Sequence, residues 1–167
     1  LTACRGPSGV CLDLDPGCSN WAWILYQRHY GEISNSRDNH TLRLFPDGVI
    51  RSWGPNSNGR LGRNSQNNVG DGVGLSIMEA GNVNLGSAAF HVAAGHQFSC
   101  AILSGGRLRC WGFNADGQLG KNDTVNVSDG IGPDIETITD VPVGVGVSQI
   151  APSALHNCAL LTDGQVR

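Results

Sequence analysis

Short apolar runs alternate with turn-forming triplets along the chain from residue 42 onward. Residues 42–45, 100–103 and 158–161 are mostly apolar, and each run is followed by a triplet that ends in glycine: PDG, SGG and TDG. A glycine in third place tolerates a positive φ, which lets a three-residue loop join two antiparallel strands. The pattern therefore predicts β-hairpins.

The strand that follows each of the first two turns ends in tryptophan and glycine. These pairs are Trp53-Gly54 and Trp111-Gly112. Each indole is predicted to anchor the core between neighbouring sheets. Two further apolar stretches predict additional strands, at 90–94 and 147–151.

The chain repeats itself at an interval of 58 residues. Sliding it by that interval places residues 42–62 over 100–120 and starts the final hairpin at Cys158, with no insertion or deletion. Such a period, carrying several short strands, is too long for a solenoid coil and fits a four-stranded propeller blade. The matched glycines of the two copies are Gly54, Gly59 and Gly62 in the first and Gly112, Gly117 and Gly120 in the second.

We therefore predict an all-β fold, an incomplete β-propeller of about three four-stranded blades. Residues 39–96 are the first repeat, 97–154 the second and 155–167 the start of a third. Residues 1–38 are predicted to form a cysteine-containing cap or partial blade. Because the last hairpin stops after its turn, we expect this sequence to belong to a longer protein whose next residues are Cys-Trp-Gly.

The cysteine spacing predicts a bridge within the second hairpin. If residues 103 and 107 flank the turn, Cys100 faces Cys110 at a distance that suits a disulfide, with two buried free thiols as the alternative. By the same spacing, Cys158 faces position 168. The pairing of the three N-terminal cysteines stays open, although one local and one long-range disulfide are favoured over a zinc site: Cys4, Cys11 and Cys18.

Three Asn-x-Ser/Thr tripeptides occur in polar or turn-like sequence, at Asn39, Asn122 and Asn126. Together with six cysteines they indicate N-linked glycans and an oxidising compartment, which means secretion or display at the cell surface.

Charge and composition exclude other classes of ligand. The formal net charge is −3 and the basic residues are scattered, so a nucleic acid partner is not expected. No apolar run is long enough to predict a membrane span. The 24 glycines fit a chain with many tight turns.

The sequence contains no motif typical of a catalytic or metal site. Residues 13–17 resemble the start of a calcium loop, but Ile24 stands where a bidentate carboxylate belongs. The five histidines are not set at ligand spacing, and no nucleophile elbow or phosphate loop is present. We expect no enzyme activity, no metal and no cofactor.

The segments GPNSNGRLG and GFNADGQLG, each following a strand that ends in Trp-Gly, resemble the regulator of chromosome condensation repeat family, here in a secreted, cysteine-containing type. The resemblance covers residues 39–167. It implies a β-propeller, usually of about seven blades, that binds partners through one face.

The function expected from the sequence is a non-catalytic extracellular scaffold or interaction module within a secreted or cell-surface glycoprotein assembly. Its partners would be other protein subunits or the remaining blades of its own chain. The resemblance leaves two alternatives, a guanine-nucleotide exchange factor acting on a small GTPase and a secreted enzyme inhibitor like the bacterial inhibitor of β-lactamases. A formed Cys100–Cys110 bridge would count against the exchange factor, which works in a reducing compartment.

Overall fold

The computed structural model describes residues 33–35, 40–144 and 146–167. Within these residues, eight strands form three antiparallel sheets, and one short 3-10 turn spans Ser57–Gly59. The strands are β1 (Ile33–Asn35), β2 (Thr41–Leu44), β3 (Ile50–Trp53), β4 (Ala89–Ala94), β5 (Phe98–Leu103), β6 (Arg107–Gly112), β7 (Val147–Pro152) and β8 (Asn157–Leu161).

The sheets have the orders β1-β2-β3, β4-β5-β6 and β7-β8. The all-β propeller class predicted from the repeat is confirmed, but the described sheets contain three, three and two strands and not four. Where a fourth strand would lie, the first two sheets make isolated backbone hydrogen bonds with the long loops. Val83 donates its N–H to the Ile50 carbonyl (2.8 Å), and Val141 donates to the Leu108 carbonyl (2.7 Å). These loops are rich in Gly, Asn and Asp, which are poor strand formers.

Each predicted hairpin is closed by its third-place glycine. Gly48, Gly106 and Gly164 have φ values of 84°, 70° and 85°. The resulting register places Leu42 opposite Ser52 in the first hairpin and pairs Cys100 with Cys110 in the second. Turn chemistry alone therefore decides which side chains face one another across the two strands.

Neighbouring repeats interlock at these turns. β4 lies within the predicted repeat 39–96, yet it pairs with β5 of the next repeat. The Ala89 N–H donates to the Gly48 carbonyl (3.0 Å), and the Val147 N–H donates to the Gly106 carbonyl (2.9 Å). Each sheet therefore draws its first strand from the end of one sequence repeat and its hairpin from the next.

The core is centred on the second sheet. All six residues of β5 are buried, because β5 is the middle strand of its sheet and also contacts β7. β2 makes a similar contact with β4. The largest fully buried side chains include Trp111, Phe98, Leu42 and Ile50.

Trp111 joins the second sheet to the loop that follows the first. Its indole N–H donates to the Arg60 carbonyl (3.0 Å), which also accepts the Ser99 hydroxyl (2.9 Å). Trp53 is only half-buried. The position one repeat before Arg60 is residue 2, which lies outside the described residues.

Candidate functional site

Two long loops, residues 54–88 and 113–144, follow the Trp-Gly strands, and a buried asparagine organises the start of each. In the first loop the Asn56 side-chain oxygen accepts the Leu61 N–H (2.8 Å), and its amide donates to the Ser65 carbonyl (2.7 Å). The Asn56 N–H donates to the Asn68 side-chain oxygen (3.0 Å). These bonds fold the glycine-rich segment back on itself.

The second loop repeats this network. The Asn114 oxygen accepts the Leu119 N–H (2.9 Å), and its amide donates to the carbonyls of Asp123 (3.0 Å) and Val125 (3.1 Å). The Asn114 N–H donates to the Asn126 side-chain oxygen (2.9 Å). A fully buried amide whose hydrogen bonds are satisfied is a stable anchor, so both loops start from the same fixed framework.

An aspartate then closes a tight turn at the far end of each framework. One carboxylate oxygen of Asp71 accepts the N–H groups of Val73 (3.1 Å) and Gly74 (3.0 Å). In the second loop, one carboxylate oxygen of Asp129 accepts the N–H groups of Ile131 (3.0 Å) and Gly132 (2.7 Å). The Asp-Gly-X-Gly sequence in both loops is the local cause of this turn.

These contacts keep the two aspartates ionised. The pKa of Asp71 is below its ordinary value because the Gly74 and Val73 N–H groups bind the carboxylate. Burial opposes ionisation of Asp129, but hydrogen bonds from Gly132 and Ile131 outweigh it, and its pKa is lowered too. The charged form is thus the one that holds each turn.

Each turn presents an apolar side chain to solvent. Val73 is 93% exposed and Ile131 is 85% exposed. Leu75 and Val125 in the same loops are 54% and 50% exposed. We call these four residues the loop-tip surface. Since Val73 and Ile131 occupy equivalent positions of successive repeats, they lie on the same face of the propeller.

The two loops are docked together. The Asn64 N–H donates to the Ser128 hydroxyl (2.8 Å), and the Ser65 N–H donates to the Ser128 carbonyl (3.1 Å). Gly59 leaves room for this contact, because a Cβ at that position would lie 2.4 Å from the Ser128 carbonyl. The second loop is therefore positioned by the first.

An open cleft of about 750 Å³ lies between the loops. Val73 and Leu75 contribute apolar surface on one side, and Ile135 and Glu136 line the other. The remainder of the lining is mainly polar, including the amides of Asn64, Asn67, Asn68, Asn82 and Asn84. Such a cleft can take apolar side chains at its rim and hydrogen bond a peptide backbone with neutral amides.

A buried histidine lies at the joint between the first two sheets, away from solvent. His40 Nε2 is 2.9 Å from the Ser99 hydroxyl oxygen. Because that hydroxyl donates its hydrogen to the Arg60 carbonyl oxygen, the imidazole must carry its proton on Nε2 and donate to the Ser99 oxygen. Burial, with a smaller effect from the charge of Arg60, lowers the pKa of His40 to about 3. His40 is therefore a neutral structural group.

The structure contains the Cys100–Cys110 disulfide, with a Cα–Cα distance of 4.1 Å and both residues fully buried. The Asn157 amide from the third sheet approaches the Cys100 sulfur at 2.9 Å. Cys158 is a free, exposed thiol. The remaining cysteines, Cys4, Cys11 and Cys18, lie outside the described residues.

The predicted glycosylation positions differ in their surroundings. Asn122 is exposed, as is Thr124 of its tripeptide. Asn126 is half-buried, and its amide nitrogen lies 3.3 Å from Asp129, while its oxygen accepts the Asn114 N–H. Asn39 lies outside the described residues. Asn122 is the described sequon whose amide is open to solvent.

The repeat glycines support the framework and not the exposed surface. Gly62 faces Trp111, since a Cβ there would lie 2.8 Å from the indole nitrogen. All six matched glycines have positive φ: Gly54, Gly59, Gly62, Gly112, Gly117 and Gly120.

Sequence reasoning missed Val73 and Ile131 as surface residues, although they lie 58 residues apart in two Asp-Gly-X-Gly segments. The signal that identifies them is the aspartate two positions earlier. Its carboxylate accepts the N–H groups of the exposed residue and of the glycine after it, and these bonds form the turn.

Among the described residues, no group of three or more His, Cys, Asp or Glu side chains is placed to hold a metal ion. A search of the same part of the chain finds no helix with the length and apolar character needed to cross a membrane.

The sequence of this chain is similar to a known repeat family and to several characterised proteins. Residues 91–118 match the family model of the regulator of chromosome condensation (RCC1) repeat. The human E3 ubiquitin-protein ligase HERC2 is 30% identical over 143 residues, which cover 86% of this chain and 3% of HERC2. The ultraviolet-B receptor UVR8 of Arabidopsis thaliana is 29% identical over 127 residues, covering 76% of this chain and 26% of the receptor.

A solved structure has the same arrangement of strands. Yeast RCC1 (Prp20), crystallised with Kap60, superposes with a TM-score of 0.56 at 21% identity, covering 81% of this chain and 28% of that one. At this identity the likeness concerns the fold. The chain spans about a quarter or less of the length of the two curated relatives described above.

Proposed function

Because the chain is built from repeats of the regulator of chromosome condensation family, we propose that it is a non-catalytic, protein-binding part of a β-propeller, and that its ligand docks on the loop-tip surface. The ligand in this proposal is a protein segment with apolar side chains. They contact Val73 and Ile131, while its backbone meets the amides of the cleft.

The observation that carries this proposal is the exposure of the two tips. A valine that is 93% exposed and an isoleucine that is 85% exposed recur at the same position of successive repeats. Single exposed apolar residues are ordinary, but a pair repeated on one face, with Val73 lining a cleft, is typical of an interaction surface. Removing each side chain from water upon binding contributes roughly 1.5–3 kcal/mol.

The relatives support binding over any one reaction. Yeast RCC1 is bound to Kap60, HERC2 is a ubiquitin ligase and UVR8 is a light receptor. Proteins of such different activity share the repeat, so the repeat itself is best explained as a scaffold. The exchange-factor and enzyme-inhibitor alternatives are both forms of protein binding, and the identity of the ligand distinguishes them.

We also propose that the protein works outside the cell or at its surface, as a glycoprotein. The Cys100–Cys110 disulfide and the exposed Asn122 support this setting, since stable disulfides and N-linked glycans belong to the secretory route. Intact mass before and after glycosidase treatment tests it. The proposal predicts a loss of mass on glycosidase treatment that Asn122→Gln makes smaller, and a mass that glycosidase leaves unchanged would contradict it.

Photo-crosslinking from the loop tips tests the binding proposal. A photoreactive amino acid is placed at position 73 or 131 of the protein in its native cells, and adducts are identified by mass spectrometry. We expect the same protein ligand from both positions, because one ligand spans neighbouring tips.

The matched controls are positions 47 and 163, which are exposed aspartates in the hairpin turns. The ligand must then be purified and bind the Val73→Ser, Ile131→Ser variant about tenfold or more weakly, a loss of about 1.4 kcal/mol. Equal adducts from the control positions, or unchanged affinity of the variant, would overturn the proposal.

A further inference from the structure

Two arginines lie side by side on the first hairpin. Arg43 of β2 and Arg51 of β3 are direct partners in the antiparallel register. Both guanidinium groups lie over the ring of Phe45, with their central carbons 4.8 Å and 5.5 Å from its centroid. Like charges directly opposite each other on a sheet raise its free energy, so this pair calls for a compensating anion.

The second repeat contains such an anion within its own chain. Arg109, the equivalent of Arg51, donates to one oxygen of Asp140 from Nε (2.9 Å) and Nη2 (2.7 Å). Arg107 donates to the other oxygen (3.1 Å). Arg107 corresponds to Val49 of the first repeat, and Ala101 stands where Arg43 does. The second repeat therefore shows a carboxylate paired with the equivalent of Arg51.

In the first repeat the carboxylate is replaced by an amide. Asn82 stands where Asp140 stands in the second repeat, and its oxygen accepts Arg51 Nε at 3.1 Å. Arg51 Nη1 faces the sulfur of Met78 (3.3 Å), a weak acceptor. Arg51 Nη2 and the whole Arg43 guanidinium have no hydrogen-bond acceptor in residues 40–144 and 146–167.

The carboxylates of Asp47, in the hairpin turn, and Glu79, next to Met78, are already engaged. Asp47 accepts the Val49 N–H (3.1 Å), and Glu79 accepts the N–H (3.0 Å) and hydroxyl (2.7 Å) of Ser76. Neither forms an ion pair with Arg43 or Arg51. Among the described residues, no carboxylate therefore neutralises Arg43 or Arg51.

We propose that Arg43, Phe45 and Arg51 form a binding site for a carboxylate side chain of a protein ligand. The ligand would supply from outside the group that Asp140 supplies in the second repeat. Phe45 holds the two guanidinium groups in place beforehand, which lowers the entropy lost when they bind. The inference goes beyond the loop-tip surface and is tested without it.

The test uses a fluorescein-labelled hexaglutamate peptide, with a hexaglutamine peptide as the uncharged control. Binding is followed by fluorescence anisotropy at low ionic strength, where exposed charges are least screened. The net charge of −3 repels a polyanion from the protein as a whole, so binding requires a local site. We expect hexaglutamate to bind and hexaglutamine not to bind.

Three variants locate the site. Arg43→Gln and Arg51→Gln are expected to weaken hexaglutamate binding about tenfold each, which corresponds to about 1.4 kcal/mol. Asn82→Asp copies Asp140, neutralises Arg51 from within the chain and is expected to weaken binding equally. The matched control is Arg107→Gln, which removes an arginine that already has a carboxylate, and it should leave the affinity within about twofold.

The proposal is overturned if hexaglutamate does not bind, if Asn82→Asp has no effect, or if Arg107→Gln weakens binding as much as Arg51→Gln does. Displacement of the peptide by inorganic phosphate at lower concentration than by acetate would assign the site to phosphate and would also overturn it. Thermal unfolding of each variant establishes that it is folded before binding is measured.

Discussion

The first two hairpins share a backbone but are held together by different side chains. At the same place in the register, the first hairpin pairs Leu42 with Ser52, and the second has the Cys100–Cys110 disulfide. Trp53 is half-buried, whereas Trp111 is completely buried. The turn glycines and the registers agree in both. Turn and loop chemistry therefore define the repeat, and the stabilising contacts vary from one copy to the next.

The largest expected difference concerns the two tryptophans. Trp111→Ala removes a fully buried indole and its hydrogen bond to Arg60, so the free energy of unfolding should fall by about 3–5 kcal/mol. Trp53→Ala should lower it by less, because Trp53 already contacts water. Urea unfolding of both variants measures the difference, and equal losses would contradict the comparison.

Loss of the disulfide should have the next largest effect. The double variant Cys100→Leu, Cys110→Ser installs the Leu–Ser pair of the first hairpin, preserving an apolar core residue while removing the cross-link. The free energy of unfolding should fall by about 2–4 kcal/mol. Wild-type protein unfolded in the presence of a reducing agent should show a similar loss, and an unchanged urea midpoint in both experiments would contradict the prediction.

A third difference is the pH response of the joint beside the first hairpin, where His40 stands in place of Phe98. The ordinary histidine pKa is 6.5, and that of folded His40 is about 3. As the pH falls below about 6.5, the unfolded chain gains a proton that the folded protein does not, so stability declines until about pH 3.

His40→Phe copies the second repeat and removes this titration. Between pH 6 and pH 4 the wild type should lose about 2 kcal/mol more stability than the variant, close to the limit of 1.4 kcal/mol per pH unit. Urea unfolding at several pH values measures both slopes. Parallel slopes would show that His40 is not buried in its neutral form.

The parts of the fold that local chemistry decides could be predicted from the sequence. The hairpins and the Cys100–Cys110 pairing follow from the turn glycines, which act within a few residues. The described sheets have three, three and two strands instead of the expected four, because a fourth strand depends on how a long loop returns to β3 or β6. Hydrophobic periodicity does not apply in such a loop, so it could not predict the exposure of Val73 and Ile131.

A sequon is likewise a local signal, and it does not tell whether the asparagine side chain is exposed to solvent or hydrogen-bonded within the fold. Asn122 and Asn126 look alike in sequence, yet only Asn126 bonds to the Asn114 backbone. The equivalent residue of the first repeat, Asn68, makes the same bond without belonging to a sequon. Comparing the repeats thus separates the structural asparagine from the exposed one.

The smallest expected effect is at the loop tips themselves. Val73→Ser and Ile131→Ser should each change the free energy of unfolding by less than about 0.5 kcal/mol, because exposed side chains contribute little to folding. Asp129→Ala should have a larger effect than either, since it leaves the N–H groups of Ile131 and Gly132 without their acceptor. Urea unfolding ranks the three variants, and the reverse order would contradict the role of the aspartate.

The central claim is that both repeats present the same preorganised tip, although their hairpins are stabilised differently. Backbone 15N relaxation at residues 71–74 and 129–132 tests this most directly. The hydrogen bonds of Asp71 and Asp129 predict backbone order parameters of about 0.85 in both turns, as in rigid strands. Values below about 0.6 in either turn would show that the tips are flexible loops and would contradict the account.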